Sequence, residues 1–191
     1  AVDRLNKVTN QIHMPLQSGS NKILRKMQRG YTQEKYLEKV NLAKKTITNV
    51  SLTTDIIVGF PGETDEDFLE TLNVINEGQF DSVYMFKFSP RPGTKANSMQ
   101  DEYVSKSKID SRFMELKKIQ TDISHSRLQR FIGTHQHVLI EKYSKKTNDF
   151  LTGKIDGGQT THIKAENVSI GDFVEVEIVD ATPFALTAVL L

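Results

Sequence analysis

The apolar positions of the chain change period near residue 132. Before it, short β-branched runs alternate with segments whose apolar residues recur at helical spacing; after it, apolar and polar residues alternate one by one. The run Ile56-Ile57-Val58 is too short and too branched for a helix and predicts a buried strand. Gly59-Phe60-Pro61-Gly62 then breaks the chain. Thr64, followed by Asp65, Glu66 and Asp67, predicts a helix start: a hydroxyl cap with carboxylates near the positive end of the helix dipole. Strand, glycine-rich turn and helix therefore follow each other, with the turn at the carboxyl end of the strand. In parallel α/β folds that end binds ligands. Asp55 sits just inside it, a carboxylate in an otherwise apolar strand.

The same pattern predicts the neighbours. Ile12 to Gln17 reads as a short strand made irregular by Pro15. Helices follow from Asn21 to about Gln28, stopped by Gly30, and from Gln33 to about Thr46. Phe68, Leu69, Leu72 and Ile75 form the inner stripe of the Thr64 helix, which Gly78 closes. Asp81 to Phe88 is a further strand, ending in the stiff loop Ser89 to Thr94. Strands alternating with helices imply parallel pairing. Three strands cannot close a barrel, so the sheet is incomplete. A long helix runs from Glu102 to about Phe131, with Ile109, Phe113, Leu116, Ile119 and Ile123 along one side.

Beyond it lie five short strand candidates, with turns at Asp156-Gly157-Gly158 and Ile170-Gly171-Asp172. They describe a small antiparallel β-barrel. The expected class is α/β: residues 1–131 as a partial (βα) barrel with a parallel sheet and long helix, and residues 132–191 as the small barrel.

Charge adds a difference between these halves. Residues 1–130 carry 20 Lys and Arg against 16 Asp and Glu, and residues 131–191 carry 5 against 8. The chain has no cysteine, so it forms no disulfide and supplies no thiolate to a metal or iron–sulfur cluster. No apolar run approaches the ~20 residues that span a bilayer, and the expected setting is the cytoplasm.

Two loops carry the candidate chemistry. Gln17 and Asp55 can both hydrogen-bond a diol such as a ribose, and Arg29 offers a fork for a carboxylate. Gly59 and Gly62 let backbone amides come close to a flat base. A nucleoside bearing an amino acid would use all of these groups. Each also has an ordinary reading: a turn, a strand-end cap, a solvated helix-end cation. His13, taken alone, reads as a satisfied buried residue. His135 and His137 share a strand face without a thiol or acid at metal spacing.

Four stretches carry a resemblance. They are His13-Met14-Pro15-Leu16-Gln17-Ser18-Gly19-Ser20, Met27 to Thr32, Thr54 to Thr64, and Phe88-Ser89-Pro90-Arg91-Pro92-Gly93-Thr94. Together they resemble the radical S-adenosylmethionine methylthiotransferases, over nearly the whole chain. The resemblance implies a (βα) barrel fragment followed by a TRAM domain. It implies a whole enzyme that methylthiolates C2 of N6-dimethylallyladenosine in tRNA next to the anticodon, with S-adenosylmethionine and two iron–sulfur clusters as cofactors. It assigns Gln17 and Asp55 to the ribose, Arg29 to the methionine carboxylate and Gly59, Phe60, Pro61 and Gly62 to the adenine. It assigns Lys145 and Lys146 to tRNA, and Arg91 lies in a loop able to approach an RNA phosphate.

The cluster cysteines of that family are absent. The resemblance thus implies the carboxyl-terminal part of a longer enzyme, inactive alone. Gly157-Gly158-Gln159-Thr160-Thr161 also departs from the tRNA enzymes, and the acidic second half leaves open the sister enzyme that modifies a ribosomal protein. A stand-alone RNA-binding module, docking an anticodon stem-loop, is the other reading. An open three-stranded sheet further predicts dimerisation or swapping through its edge.

Overall fold

The structure, a computed structural model, describes residues 2, 5, 7–144, 150–165 and 167–191. These pack as two compact units, one of Ile12–Thr46 and Leu52–Ile123, the other of Ala1–Gln11, Ile47–Ser51 and Ser124–Leu191.

The first unit is built on a three-stranded sheet of order β1-β2-β3: β1 (Gln11–His13), β2 (Ser51–Val58) and β3 (Ser82–Lys87). β2 and β3 pair in parallel, with Asp55 level with Tyr84 and Ile57 level with Phe86. Ser51 to Thr54 are all buried, and period two shows only in the second half of β2, where Asp55 and Ile57 are half-buried. Leu52, Thr54, Ile56 and Val58 are buried to 1% exposure or less. Across the sheet, Tyr84 and Phe86 are half exposed. The buried side receives α1 (Asn21–Lys26), α2 (Gln33–Thr46) and α3 (Asp65–Gly78), through Ile23, Leu24, Val40, Leu72 and Ile75.

α3 starts as its sequence predicts. Thr64 and Asp67 form a reciprocal capping box, and Ser20 Oγ and Lys22 Nζ also donate to the Asp67 carboxylate, at 2.7 and 2.6 Å. The inner stripe differs by one residue from expectation. Leu69 is 56% exposed, and Val74 is buried in its place. Neither Gly30 nor Gly78 takes the left-handed stop. Gln28 and Gln79 do, with φ of 59° and 42°. Two short 3-10 turns, Lys95–Ser98 and Gln100–Glu102, lead to α4 (Lys106–Gln129). Its buried side contains Arg112 and Gln120 as well as Leu116 and Ile123.

The second unit is a closed barrel of β4 (His135–Tyr143), β5 (Phe150–Lys154), β6 (Thr160–Lys164), β7 (Phe173–Ala181) and β8 (Leu186–Leu190), in the order β4-β5-β6-β8-β7. Its core is Val138, Ile140, Leu151, Ile155, Ile163, Val176, Ile178 and Leu186, joined by Leu128 and Phe131. The packing therefore draws in residues from before position 132. The barrel is not wholly antiparallel. β8 returns from β7 by a hairpin and lies beside β6, and that pair runs parallel. Strand direction at closure depends on which strand fills the gap, and alternation within each strand is blind to it.

Candidate functional site

β1 ends at His13, the Met14 N–H still donates to Thr53 O, and the chain touches the sheet again at Gln17. There the Gln17 N–H donates to Asp55 O at 2.8 Å, and the Ile57 N–H donates to Gln17 O at 2.9 Å. Gln17 holds φ at 75° and is 7% exposed. A glutamine in that region is strained, and its two backbone bonds keep it there. Tyrosines fix the approach. The Tyr36 hydroxyl donates to Met14 O at 2.6 Å, and the Tyr31 hydroxyl lies 2.9 Å from Pro15 O and 3.1 Å from Leu16 O. Burial pushes the Tyr36 phenol well above its ordinary range. Burial also raises Tyr31, and the charge of Arg29 opposes it.

Tyr31 is bonded to the carbonyls of the two residues before Gln17, and Gln17 is bonded to Asp55 by the main chain. Gln17 and Asp55 are thus neighbours through their main chains, while the Asp55 side chain faces His13. Asp55 lies midway along β2, four residues short of Gly59, a distance of about 13 Å along a strand.

The glycine turn is occupied by the chain itself. The Gly59 N–H donates to Glu63 Oε2 at 3.0 Å, and the Gly62 N–H donates to Glu102 O at 2.8 Å. Both glycines have φ of 78°. A Cβ at Gly59 would run into Ile109, and one at Gly62 into Lys26 and Glu102, which are themselves paired. The close approach that glycine permits is therefore made by α4 and the segment before it. Phe60 is 7% exposed and stacks edge to face on Phe88, which meets Tyr103 in the same way.

Other residues of the sequence motifs have structural partners. The Gly19 N–H donates to Thr71 Oγ1 at 2.9 Å, which docks Ser18-Gly19-Ser20 on α3. Arg91 is exposed, and its carbonyl accepts from the Thr94 N–H and hydroxyl, closing the proline loop. Gln159 is 9% exposed and donates to Ser51 Oγ at 3.0 Å, inside its own unit. Lys145 and Lys146 lie outside the described residues. The barrel register sets His135 opposite Glu177 and His137 opposite Glu175, acids that linear spacing conceals. Among the described residues no three His, Cys, Asp or Glu side chains gather to hold a metal.

One constellation escaped the sequence reading. His13 is not a lone buried histidine: its Nε2 is 3.5 Å from Asp55 Oδ1 and its Nδ1 is 2.9 Å from Thr53 Oγ1. Thr53 and Asp55 at period two mark one strand face, which was the available signal. Nothing in the sequence placed His13 across from them.

Comparison with known proteins fits this architecture. Residues 1–75 match the radical SAM superfamily, and residues 129–191 match the TRAM domain. The chain is thus similar to radical SAM proteins in its first part and to TRAM domains in its last. It is 41% identical over 187 residues to the tRNA-2-methylthio-N(6)-dimethylallyladenosine synthase of Finegoldia magna, covering 98% of this chain and 40% of that one. It is 40% identical over 190 residues to the synthase of that name from Pelotomaculum thermopropionicum, covering 100% of this chain and 42% of that one. The chain spans about 40% of the length of these curated relatives. In fold it is similar to coproporphyrinogen III oxidase (HemN) from Escherichia coli, described as a radical SAM enzyme. The TM-score is 0.53 at 22% identity, over 60% of this chain and 27% of that one. None of the described helices is long and apolar enough to cross a membrane.

Proposed function

We propose that these residues form part of a cytoplasmic radical SAM methylthiotransferase that adds a methylthio group to N6-dimethylallyladenosine in tRNA, next to the anticodon. The relatives' shared name supports the reaction. The observation that supports the site is the main-chain bond from the Gln17 N–H to Asp55 O at 2.8 Å, which sets the two residues side by side with the Asp55 side chain 24% exposed.

S-adenosylmethionine suits this donor set. Asp55 would accept from the ribose diol, Gln17 would hydrogen-bond the same sugar, and Arg29 would pair with the methionine carboxylate. Once bound, S-adenosylmethionine supplies the transferred methyl group. Phe60 and Pro61 would border the adenine as side chains. The amides of Gly59 and Gly62 are engaged internally, so the turn acts as a rigid wall and not as a set of free donors. An iron–sulfur cluster does not fit the residues present: the 191 residues contain no cysteine. Cluster chemistry belongs to residues outside this chain, and the 191 residues alone are inactive.

The TRAM barrel and the loop bearing Arg91 would meet the tRNA anticodon stem-loop. The open face with Tyr84 and Phe86, half exposed, would be covered by a second copy when the chain is isolated.

Calorimetric titration of the chain with S-adenosylhomocysteine tests the site. Saturable binding that weakens about tenfold in each of Gln17→Ala, Arg29→Ala and Asp55→Ala supports it. Affinity unchanged in all three rejects it. Formation of 5′-deoxyadenosine by the purified 191-residue chain with S-adenosylmethionine and reductant would overturn the assignment of the cluster to other residues.

A further inference from the structure

His13 stands on the sheet framed by three neighbours. Thr53 Oγ1 lies 2.9 Å from its Nδ1, and Asp55 Oδ1 lies 3.5 Å from its Nε2. The Tyr84 ring meets the imidazole edge to face, centroids 5.7 Å apart and planes at 73°. The contacts come from three strands: His13 from β1, Thr53 and Asp55 from β2, and Tyr84 from β3, level with Asp55.

This frame favours one tautomer. A carboxylate only accepts, so the N–H belongs on Nε2, and Nδ1 accepts from the Thr53 hydroxyl. Yet the His13 side chain is 43% exposed and that of Asp55 24%. A histidine kept for the core would be covered. This one is held on three sides and left open on the fourth, beside a carboxylate that is itself reachable.

We propose that His13 is a positioning residue of the nucleoside site. It takes up Asp55 Oδ1, so that Oδ2 is left to accept from a ribose diol. This rests on the reading of Asp55 as a ribose contact. It adds a residue whose action runs through Asp55, and a tautomer that the action requires.

Two measurements test it. In the free chain, a long-range 1H–15N NMR spectrum of His13 should show the Nε2–H tautomer; the Nδ1–H form would overturn the proposal without any variant. The second is titration with S-adenosylhomocysteine. His13→Ala should weaken binding about tenfold. His13→Gln, whose amide N–H reaches the place of Nε2, should stay within about threefold of wild type. His13→Asn, which reaches only the place of Nδ1, should behave like the alanine variant. In an Asp55→Ala background, His13→Ala should have no further effect. Wild-type affinity in His13→Ala overturns the proposal, and so does a loss that persists undiminished when Asp55 is already absent. Wild-type affinity in Asp55→Ala, or no saturable binding to the wild-type chain at millimolar ligand, overturns the nucleoside reading beneath it.

Discussion

Arg112 Nη1 lies 2.7 Å from Glu63 Oε1, with side chains only 4% and 2% exposed. The pair joins α4 to the glycine turn. Its other bonds extend the link: Arg112 reaches Asp65 Oδ1 at 2.7 Å, and Glu63 Oε2 accepts the Gly59 N–H. The shape of the Gly59–Gly62 wall therefore depends on a side chain about fifty residues away.

Removing one partner of such a pair leaves a buried charge, which costs about 3–5 kcal/mol. Arg112→Ala should lower stability by that amount in urea unfolding. The pair Arg112→Met with Glu63→Gln keeps a carbonyl for Gly59 and no charge. It should recover at least half of the loss.

Two buried carboxyls give stability opposite pH slopes. Burial raises the Asp67 pKa, but hydrogen bonds from Lys22, Ser20 and Thr64 outweigh it and bring it from 3.8 to about 2. Between those values the unfolded chain binds more protons, so stability falls as pH falls, by about 2 kcal/mol in all. Asp67→Asn should remove this acid limb. Glu63 is raised above its ordinary 4.5, chiefly by burial, with Arg112 opposing. Its contribution is complete below 4.5 and is lost as pH rises through the raised value. Unfolding free energies across pH in wild type, Asp67→Asn and Glu63→Gln check both signs.

Gly19 and Gly30 should respond oppositely to alanine. A Cβ at Gly19 would meet Thr71 N at 2.8 Å and Glu70 O at 2.6 Å, both backbone. Gly19→Ala should cost about 2–3 kcal/mol by overpacking. At Gly30 nothing lies within 4 Å. Gly30→Ala should be neutral, or stabilising by less than about 1 kcal/mol through the unfolded chain. Thermal melts of the two variants separate the cases.

The half-exposed Tyr84 and Phe86 should drive self-association of the isolated chain. Light scattering is expected to show a concentration-dependent dimer. The double variant Tyr84→Glu, Phe86→Lys should remain monomeric over the same range. A wild-type monomer at high concentration rejects this expectation.

Binding of an anticodon stem-loop should weaken linearly in log–log plots against salt, with a slope of about −0.7 to −0.9 per phosphate contact. Arg91→Ala should reduce that slope by about one. Lys145→Ala with Lys146→Ala should reduce it by about two. Filter binding over a salt series provides the measurement.

Much of the fold was readable in order along the chain. The Ile56–Val58 run, the Thr64 cap and the stripe of α4 lie where local pattern puts them, because each is set by residues within one or two turns. What was hidden depends on residues distant in sequence. Gln17, Gln28 and Gln79 adopt positive φ, where pattern favours glycine; at Gln17 the cause is pairing with β2, about forty residues on. The glycine turn was legible as a turn, but its amides were assigned to a ligand when Glu63 and Glu102 already hold them. His13 looked solitary because Asp55 and Thr53 join it only across strands. Arg112 was missed for a simpler reason: an apolar stripe count passes over a buried arginine.

β8 has a consequence for chain length. Leu186–Leu190 completes the ring by filling the space between β6 and β7, and it brings Leu186 and Ala188 into the interior. That ring cannot shut until Leu186–Leu190 has been made. Without β8, β6 would keep only β5 and β7 only β4 as partner, and the interior would open to water. Leu186–Leu190 is the clasp of the barrel, and losing it should be as damaging as losing a strand from its middle.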